Sequence, residues 1–307
     1  MSDTYDFIAC ADLHISDKSP SKRTKEYPEQ VLSKLNQILK ITKKKTHTNF
    51  LVIAGDFFDS PMVSYDTTRK VIKILRKHNV EIFCIPGQHD IRYHQIGLQN
   101  TPLGILKQTG LVHSKANPLN FNKKIIGIGW NEEPKQKGDI IVIHKLVIKK
   151  NKLFPGQKDY ISAKKLLKKY PWAKLIISGD NHAPHLISIK NRYQLNCGSI
   201  VRKNKDQMDY HPCVWGVTMD PKIKIKRIPL KILPSSEVFD FNKIEKEETD
   251  FAYKKEAEEK ISNFIKTLPD MQEDKPEYTK ILQKVIMETN PEDSVKKIVN
   301  ETMERIS

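Results

Sequence analysis

The chain has 307 residues, of which 38% are hydrophobic and 29% are charged, a composition that suits one large or two modest soluble domains. It has no run of about 18 apolar residues, which excludes a membrane-spanning helix. Its first residues lead directly into an apolar segment, without a basic and apolar leader. We therefore expect a cytoplasmic protein, in a cell, a nucleoid or a host cytoplasm, that is not secreted and does not bind a membrane.

Charge is distributed unevenly along the chain. The net charge is +16, with an excess of 22 positive charges over residues 1–236 and of 6 negative charges over residues 237–307. A strongly basic body favours a polyanionic partner, of which nucleic acid is the first candidate. The alternative is a lysine-rich surface without a specific partner. The four cysteines form no C-x-x-C pair, and we expect them to be buried and reduced.

The first 85 residues alternate between short apolar runs and amphipathic segments. Strands are predicted at 5–11, 50–54 and 80–85, and helices at 28–45 and 65–78. This β-α-β-α-β order predicts parallel strands that are joined by right-handed crossovers.

The following segment repeats this alternation and then changes character. Strands are predicted at 124–129, 139–144 and 174–178, with a helix at 160–169. Four shorter strand-like segments follow, at 185–189, 192–196, 213–219 and 222–230. We expect these to be antiparallel strands that close the second half of the domain. The predicted fold class is therefore α/β, with two packed mixed β-sheets flanked by helices.

The composition becomes acidic after residue 236, where we place a domain boundary. Residues 237–250 are interpreted as a linker. Helices are predicted beyond it at 251–267, at 277–288 and from Pro291 onward. The chain would then consist of a domain over 1–236 and a C-terminal helical extension over 237–307. The acidic helices could dock on a partner or pack on the chain's own body.

Carboxylate, imidazole and amide side chains recur at the carboxyl ends of the predicted strands. In chain order these elements are Asp12-Leu13-His14, Gly55-Asp56, Gly87-Gln88-His89-Asp90, His144 and Gly179-Asp180-Asn181-His182. Ligands of open α/β sheets bind at this edge, and mixed oxygen and nitrogen donors are what a pair of divalent metal ions requires. A lone histidine or a Gly-Asp pair is weak evidence, but five such elements in order are specific. The pattern predicts metal-assisted hydrolysis of phosphoesters.

Two of these elements have a local geometric interpretation. Asp12 and His14 are two residues apart at the end of a strand, so their side chains should point to the same face. Gly55 should let the backbone turn closely before Asp56, whose two carboxylate oxygens can bridge two ions.

The same order of elements, over residues 5–230, resembles the calcineurin-like metallophosphoesterase superfamily. The Asp-Phe-Phe-Asp run from Asp56 to Asp59 and the segment 196–200 resemble its nuclease branch in double-strand-break repair. That branch includes the nuclease subunit of bacterial SbcCD, the meiotic recombination nuclease and their phage relatives. The resemblance implies the two-sheet sandwich of the superfamily. It also implies a two-metal-dependent DNA phosphodiester hydrolase, an exonuclease or endonuclease, that serves recombination, repair or replication.

The resemblance further implies a role for each site residue. One metal ion would be held by Asp12, His14, Asp56 and His182, and the other by Asp56, Gln88, His144 and Asp180. His89 would protonate the leaving oxygen or hold the scissile phosphate. Asp90 would orient His89, and a water activated by the dinuclear centre would be the nucleophile.

Two positions depart from the family pattern, which usually has Asn in place of Gln88 and His in place of Asp180. Both residues still offer a donor, which argues against a decayed site. The donors become harder, which favours Mn²⁺, with Mg²⁺ as the other option, over zinc. His185 is a substitute ligand in principle, although the loop before it should aim it elsewhere.

The resemblance also implies partners, namely DNA and a coiled-coil ATPase subunit that contacts the C-terminal helices, and a homodimer is an option. Basic residues follow the predicted ligands and should rim the same cleft: Lys18, Lys22, Arg23, Lys25, Lys145, Lys149, Lys150, Lys152, Arg202, Lys203 and Lys205. Two other functions stay open. One is a small-molecule or nucleotide phosphodiesterase on the same fold, and the other is a catalytically impaired scaffold that binds nucleic acid.

Overall fold

The computed structural model describes residues 4–92, 97–114, 122–149, 159–267, 280–281, 283–287 and 296. The chain divides into two units, Met1–Ile244 and Glu245–Ser307, and each is described by itself. No helix within these described ranges is long and apolar enough to cross a membrane.

The elements of the described residues are numbered in chain order. The strands are β1 (Phe7–Cys10), β2 (Phe50–Ala54), β3 (Glu81–Ile85), β4 (Ile125–Ile128), β5 (Ile140–His144), β6 (Val147–Ile148), β7 (Ile161–Ser162), β8 (Leu175–Gly179), β9 (His185–Ile189), β10 (Arg192–Asn196), β11 (Cys213–Thr218) and β12 (Lys224–Pro229). The helices are α1 (Tyr27–Lys45), α2 (Tyr65–His78), α3 (Pro102–Gln108), α4 (Ala163–Lys169), α5 (Ser235–Val238) and α6 (Phe241–Thr267). Strands β6 and β7 pair only with each other.

The first sheet has the strand order β12-β11-β1-β2-β3. Its first three strands in the chain are parallel, as predicted, and α1 and α2 lie in the connections between them. Cys10 pairs with Ile53, and Ile53 pairs with Cys84. Because these strands end in register, the loops that carry Asp12, Asp56 and Gln88 leave the sheet at one edge.

The second sheet has the order β4-β5-β8-β10-β9, in which only the edge strand β9 is antiparallel to its neighbour. The prediction that all four late strands close the second half is wrong for β11 and β12. They join the first sheet, where β11 pairs antiparallel with β1. Strand β11 packs Val214 and Trp215 into different core clusters. It therefore needs packing partners on both of its faces, which a place beside β1 provides.

Alternating side chains divide the core into layers. Phe7 and Val52 of the first sheet pack against Val142 and Ile177 of the second sheet, between the two sheets. The other face of the first sheet packs on α1, α2 and α3, and the other face of the second sheet packs on α4. The two-sheet α/β fold expected from the sequence, with C-terminal helices, is therefore confirmed. All four cysteines are buried and free of disulfide bonds.

Three local predictions need correction. Helix α3 was missed, although Thr101 before Pro102 is an N-cap whose hydroxyl accepts from the Gly104 amide. The helix predicted at 160–169 begins only at Ala163, after the short strand β7. Residues 241–250 are helical, so the linker predicted at 237–250 is wrong there. Asp240 caps this helix by accepting from the Lys243 amide at 3.2 Å.

In the first unit, buried apolar residues are also found after residue 236, where the domain boundary is predicted. Val238, Phe239 and Ile244 form a small cluster against Met208. In the second unit, the predicted helix at 251–267 is the main part of α6. Within the predicted helix 277–288, the described residues 280, 281 and 283–287 are helical. The helix predicted from Pro291 lies outside the described residues except for Lys296.

Candidate metal centre

The strand-end loops bring six of the nine predicted site residues together. Three sets of ligand atoms each lie within 4.8 Å of one another: Asp12, His14 and His182; His14, Asp56 and His89; and Asp12, Asp56 and His144. The sets share members, so the residues form one cluster at the carboxyl edge of both sheets. The His89 side chain is 41% exposed, which makes it the part of the cluster that a substrate can reach most readily.

Four of the predicted ligands have a left-handed backbone. The φ angles are 52° at Asp12, 48° at His14, 49° at Asp56 and 77° at Asp180. Residues with a Cβ rarely adopt this region, and such strain concentrates at functional sites. Strand β1 ends at Cys10, so strand alternation is the wrong explanation for the shared direction of Asp12 and His14. Their amides instead donate to the Gly55 and Asp56 carbonyls, each at 3.1 Å.

Two glycines make room for the cluster. Gly55 has a φ of +90°, and a Cβ there would lie 2.1 Å from Nδ1 of His144. A Cβ at Gly87 would lie 2.1 Å from Oδ1 of Asp56. The tight turn predicted at Gly55 is therefore present, and the neighbouring groups approach closely enough that only glycine fits at both positions.

The His144 ring is fixed by its backbone contact. Nδ1 donates to the Ala54 carbonyl at 2.7 Å, which leaves Nε2 facing Oδ2 of Asp56 at 3.3 Å. Nε2 is buried and has no well-directed hydrogen bond among the described residues. Burial opposes protonation, but the carboxylates of Asp56, Asp12 and Asp180 raise the pKa of His144 to about 10. The cluster thus binds a positive charge at this position, which a metal ion can supply instead of a proton.

His14 and His182 face each other through their Nε2 atoms, which are 3.2 Å apart. Burial lowers the pKa of His14. Burial and the neighbouring His14 ring lower the pKa of His182 to about 4. Both rings are therefore neutral at pH 7, and their nitrogen lone pairs are available to one cation.

Asp59 supports both histidines, a role that sequence reasoning missed. Its carboxylate lies 3.0 Å from Nδ1 of His14, and its carbonyl accepts from Nδ1 of His89 at 3.0 Å. Lys203 in turn donates to the Asp59 carboxylate. A carboxylate behind a ligating histidine is a common arrangement at metal sites. The Gly-Asp-x-x-Asp spacing was the available signal, although it does not specify which histidine is contacted.

Gln88 and Asp180 lie beside the cluster and are paired with each other. The Gln88 amide nitrogen donates to Oδ1 of Asp180 at 2.9 Å. Since a carboxylate only accepts, the amide oxygen must face the other way, where it is buried without a partner among the described residues. The Asp180 amide also donates to the Asp12 carboxylate at 3.0 Å. Metal ligation by Gln88 and Asp180 stays a prediction.

His89 and Asp90 follow β3 in one turn of 3₁₀-helix. The His89 amide donates to Oδ1 of Asp56 at 3.0 Å, and its Nε2 lies 4.0 Å from Oδ2 of the same carboxylate. The expected contact between Asp90 and the His89 ring is not found. Asp90 instead accepts from the amides of Phe57, Phe58 and Gly87 at 2.9–3.1 Å. It therefore joins the two loops that carry Asp56 and His89.

The residues of the cluster fit a pair of divalent cations. Asp12 and Asp56 are almost fully buried, and burial together with the Asp56 charge raises the pKa of Asp12 to about 8. Burial opposes ionisation of Asp56, but the histidines around it hold its pKa well below the usual range. Facing carboxylates, neutral imidazole nitrogens and the unpartnered oxygen of Gln88 form a donor set for hard to borderline metal ions.

The basic residues predicted around the cleft have different environments. Lys203 reaches the cluster through Asp59. Arg23 and Arg202 are buried instead and donate to main-chain carbonyls. His185 pairs with Gln194 at 3.0 Å and belongs to none of the three donor sets. Lys150 and Lys152 lie outside the described residues.

One family profile and several solved structures are similar to this chain. The sequence profile of the family described as calcineurin-like phosphoesterase matches residues 5–184, more than half of the chain. The solved structure of TT1561 from Thermus thermophilus is 10% identical, with 73% of this chain and 99% of that chain covered and a TM-score of 0.43. A structure titled as a novel archaeal phosphodiesterase is 12% identical, with coverages of 73% and 98% and a TM-score of 0.41.

A third similar structure is vacuolar protein sorting 29 from Cryptosporidium parvum. It is 12% identical to this chain, covers 75% of this chain and 100% of its own, and has a TM-score of 0.35. Similarities at this level of identity carry no information about substrate.

Proposed function

Since the chain belongs to the calcineurin-like phosphoesterase family, we propose that it is a two-metal-dependent phosphodiesterase whose substrate is DNA. Membership in this family makes it a metal-dependent phosphoesterase with candidate ligands for a dinuclear centre. Cleavage of DNA, as an exonuclease or endonuclease in recombination, repair or replication, is the specific part of the proposal. The observation on which the proposal as a whole rests is the cluster of buried metal-donor side chains beside the exposed His89 ring.

The metal ligands in this proposal are Asp12, His14, Asp56, Gln88, His144, Asp180 and His182. Two divalent ions, when bound, supply an activated water and neutralise the phosphate charge. We propose Mn²⁺, with Mg²⁺ as the other option, because Gln88 and Asp180 add hard oxygen donors to the imidazole nitrogens. Asp56 lies between the other donors and belongs to two of the three sets, which suits a bridging carboxylate.

We propose that His89 acts on the substrate itself. Its Nδ1 carries a proton that is donated to the Asp59 carbonyl, so the ring can exchange a proton only at Nε2. When Nε2 is protonated, it can donate to the leaving oxygen. The neutral ring that remains keeps its Nδ1 hydrogen bond, and so it does not need to move during the step.

Several observations support DNA as the substrate. The excess of 22 positive charges over residues 1–236 suits a polyanion, and Lys203 places one cation beside the cluster. The motif from Asp56 to Asp59 resembles the repair nucleases. We further propose a coiled-coil ATPase partner for the C-terminal helices and a cytoplasmic location. A homodimer is a variant of this proposal.

The test uses the purified full chain with Mn²⁺ and two substrates, end-labelled linear duplex DNA and bis-p-nitrophenyl phosphate. We expect cleavage of both, and loss of both with EDTA. Turnover of the small ester alone would favour the small-molecule phosphodiesterase. No turnover with Mn²⁺, Mg²⁺, Co²⁺ or Zn²⁺ would favour the impaired scaffold.

A further inference from the structure

A basic groove runs along α1, and its lining shares no residue with the metal cluster. It is a cavity of about 670 Å³ between α1 and the segments 200–202 and 231–233. Seven cationic residues line it: Arg23, Lys34, Lys40, Lys44, Lys45, Arg202 and Lys231. Among the described residues that line it, none is Asp or Glu. Helix α1 has 19 residues, so the groove follows a helix about 28 Å long.

Two buried donors in this groove lack an acceptor. The Tyr27 hydroxyl and Nε of Arg23 have no hydrogen-bond partner in the described part of the chain, although the residues are only 0% and 5% exposed. The guanidinium cannot swing away, because its terminal nitrogens donate to the Arg202 carbonyl and to Gln30, and it stacks on the Tyr27 ring at 4.9 Å. Because both atoms are buried, a small acceptor such as a buried water suits them better than a ligand in the groove.

The positive charges in the groove are largely uncompensated, although the Asp209 carboxylate acts on Arg202. Within the described ranges, none of the seven cations forms an ion pair with a carboxylate. Burial and the charges of Arg202 and Arg23 lower the pKa of Lys34 to about 8. A bound anion would relieve this repulsion.

We propose that this groove binds the phosphodiester backbone of a polynucleotide. Its phosphates contact the lysines at the surface of the groove, among them Lys40 and Lys44, which lie one turn apart on α1. The sole aromatic residue among the lining residues, Tyr27, is fully buried, so no ring is available to stack on a base and binding is independent of sequence. The inference rests on the proposed function, because it extends the contact with the nucleic-acid substrate.

Two consecutive residues connect the groove to the metal cluster. Arg202 lines the groove, and Lys203 pairs with Asp59, which contacts His14. A polynucleotide held in the groove therefore ends beside the candidate metal centre. The groove would hold the part of the polymer that is not being cleaved.

The experiment measures binding of a labelled single-stranded oligonucleotide to the full chain by fluorescence anisotropy. It is performed in EDTA over a range of salt concentrations, so that no cleavage occurs. The test variant is Lys40→Glu with Lys44→Glu. The matched control is Lys43→Glu with Lys77→Glu, which changes the net charge equally at exposed lysines on α1 and α2 that do not line the groove.

We expect the test variant to weaken binding about tenfold or more and to lower the salt slope by about 1.4, the value for two lost contacts to a single strand. The control should have a clearly smaller effect. Equal effects of the two double variants would overturn the proposal.

Two competitors identify the ligand chemistry. If inorganic phosphate displaces the oligonucleotide at an equal concentration of phosphate groups, the groove recognises a single phosphate and not a polymer. If polyglutamate binds with the same sensitivity to the variants while the oligonucleotide does not bind, the groove is a site for an acidic protein. Either result contradicts the proposal. Because binding is measured without metal, its failure is distinct from a failure of Mn²⁺-dependent hydrolysis.

Discussion

The Asp59 carboxylate lies 3.0 Å from Nδ1 of His14, the ring nitrogen that does not face His182; the contact lacks hydrogen-bond geometry and orients the ring by charge. A ligating imidazole that is oriented in this way loses little freedom when a metal ion binds. Carboxylates behind metal-binding histidines typically change metal affinity by about 10–100-fold.

We therefore expect Asp59→Asn to weaken Mn²⁺ binding by about 10–100-fold, because the amide cannot compensate charge on the imidazole. Titration of free Mn²⁺ by electron paramagnetic resonance measures this directly, without turnover. Asp66→Asn is the control, since Asp66 is an exposed partner of Arg69 on α2. Equal Mn²⁺ affinity of Asp59→Asn and wild type would show that this contact does not support the site.

Asp90 is expected to contribute to stability rather than to proton transfer. Asp90→Ala leaves three buried amides, those of Phe57, Phe58 and Gly87, without their acceptor. An unsatisfied buried donor costs about 1–3 kcal/mol, so the free energy of unfolding should fall by at least about 2 kcal/mol. Urea denaturation in EDTA measures it, with Asp66→Ala as the exposed control. If Asp90→Ala were as stable as wild type but had an altered pH profile of hydrolysis, the prediction that Asp90 orients His89 would be supported instead.

His89→Ala is expected to retain bound metal and to lose cleavage. The ring is exposed, and its Nε2 lies 4.0 Å from Asp56, so it is better placed for substrate than for tight ligation. Loss of a general acid typically lowers the rate about 10²–10⁴-fold. The measurements are kcat with DNA, whose alkoxide leaving group needs a proton, and metal content by elemental analysis. Loss of metal from this variant would instead make His89 a ligand.

The sequence predicted the parallel strands and the edge at which the donors meet, because buried parallel strands read as short apolar runs that end at polar residues. It could not predict the left-handed backbone at Asp12 and His14, which depends on the neighbouring loop around Gly55. The pairing of β11 with β1 joins residues about two hundred positions apart, for which a local pattern contains no signal. The contact of Asp59 with His14 depends on side-chain rotamers and on Lys203.

The pKa of Lys34 predicts how stability depends on pH. Burial and the charges of Arg202 and Arg23 lower it from 10.5 to about 8. Between about pH 8 and 10.5, the unfolded chain therefore binds more protons than the folded chain. The charge on Lys34 destabilises the folded state fully below pH 8, and this effect vanishes above pH 10.5.

The melting temperature of Lys34→Met, compared with that of wild type, should therefore be higher at pH 7 than at pH 10.5. We expect this change in the difference to be a few degrees at most. Lys34 also donates to the Lys231 carbonyl, a bond that both the ammonium and the neutral amine can make, so its loss contributes at both pH values. Differential scanning calorimetry of both proteins at the two pH values measures the shift. If the difference in melting temperature between the variant and wild type did not depend on pH, burial and the cationic neighbours would not lower the pKa of Lys34.

Gln88 is expected to decide how many metal ions are bound. Its amide oxygen is buried and has no partner among the described residues, while its nitrogen is occupied by Asp180. Gln88→Met preserves the length of the side chain and removes the oxygen donor. The site formed by Asp12, His14, Asp56 and His182 keeps its donors, so we expect the Mn²⁺ stoichiometry to fall from two to one in isothermal titration calorimetry. Two ions bound with wild-type affinities would show that Gln88 does not ligate, and the pair that it forms with Asp180 would then serve only to shape the loop.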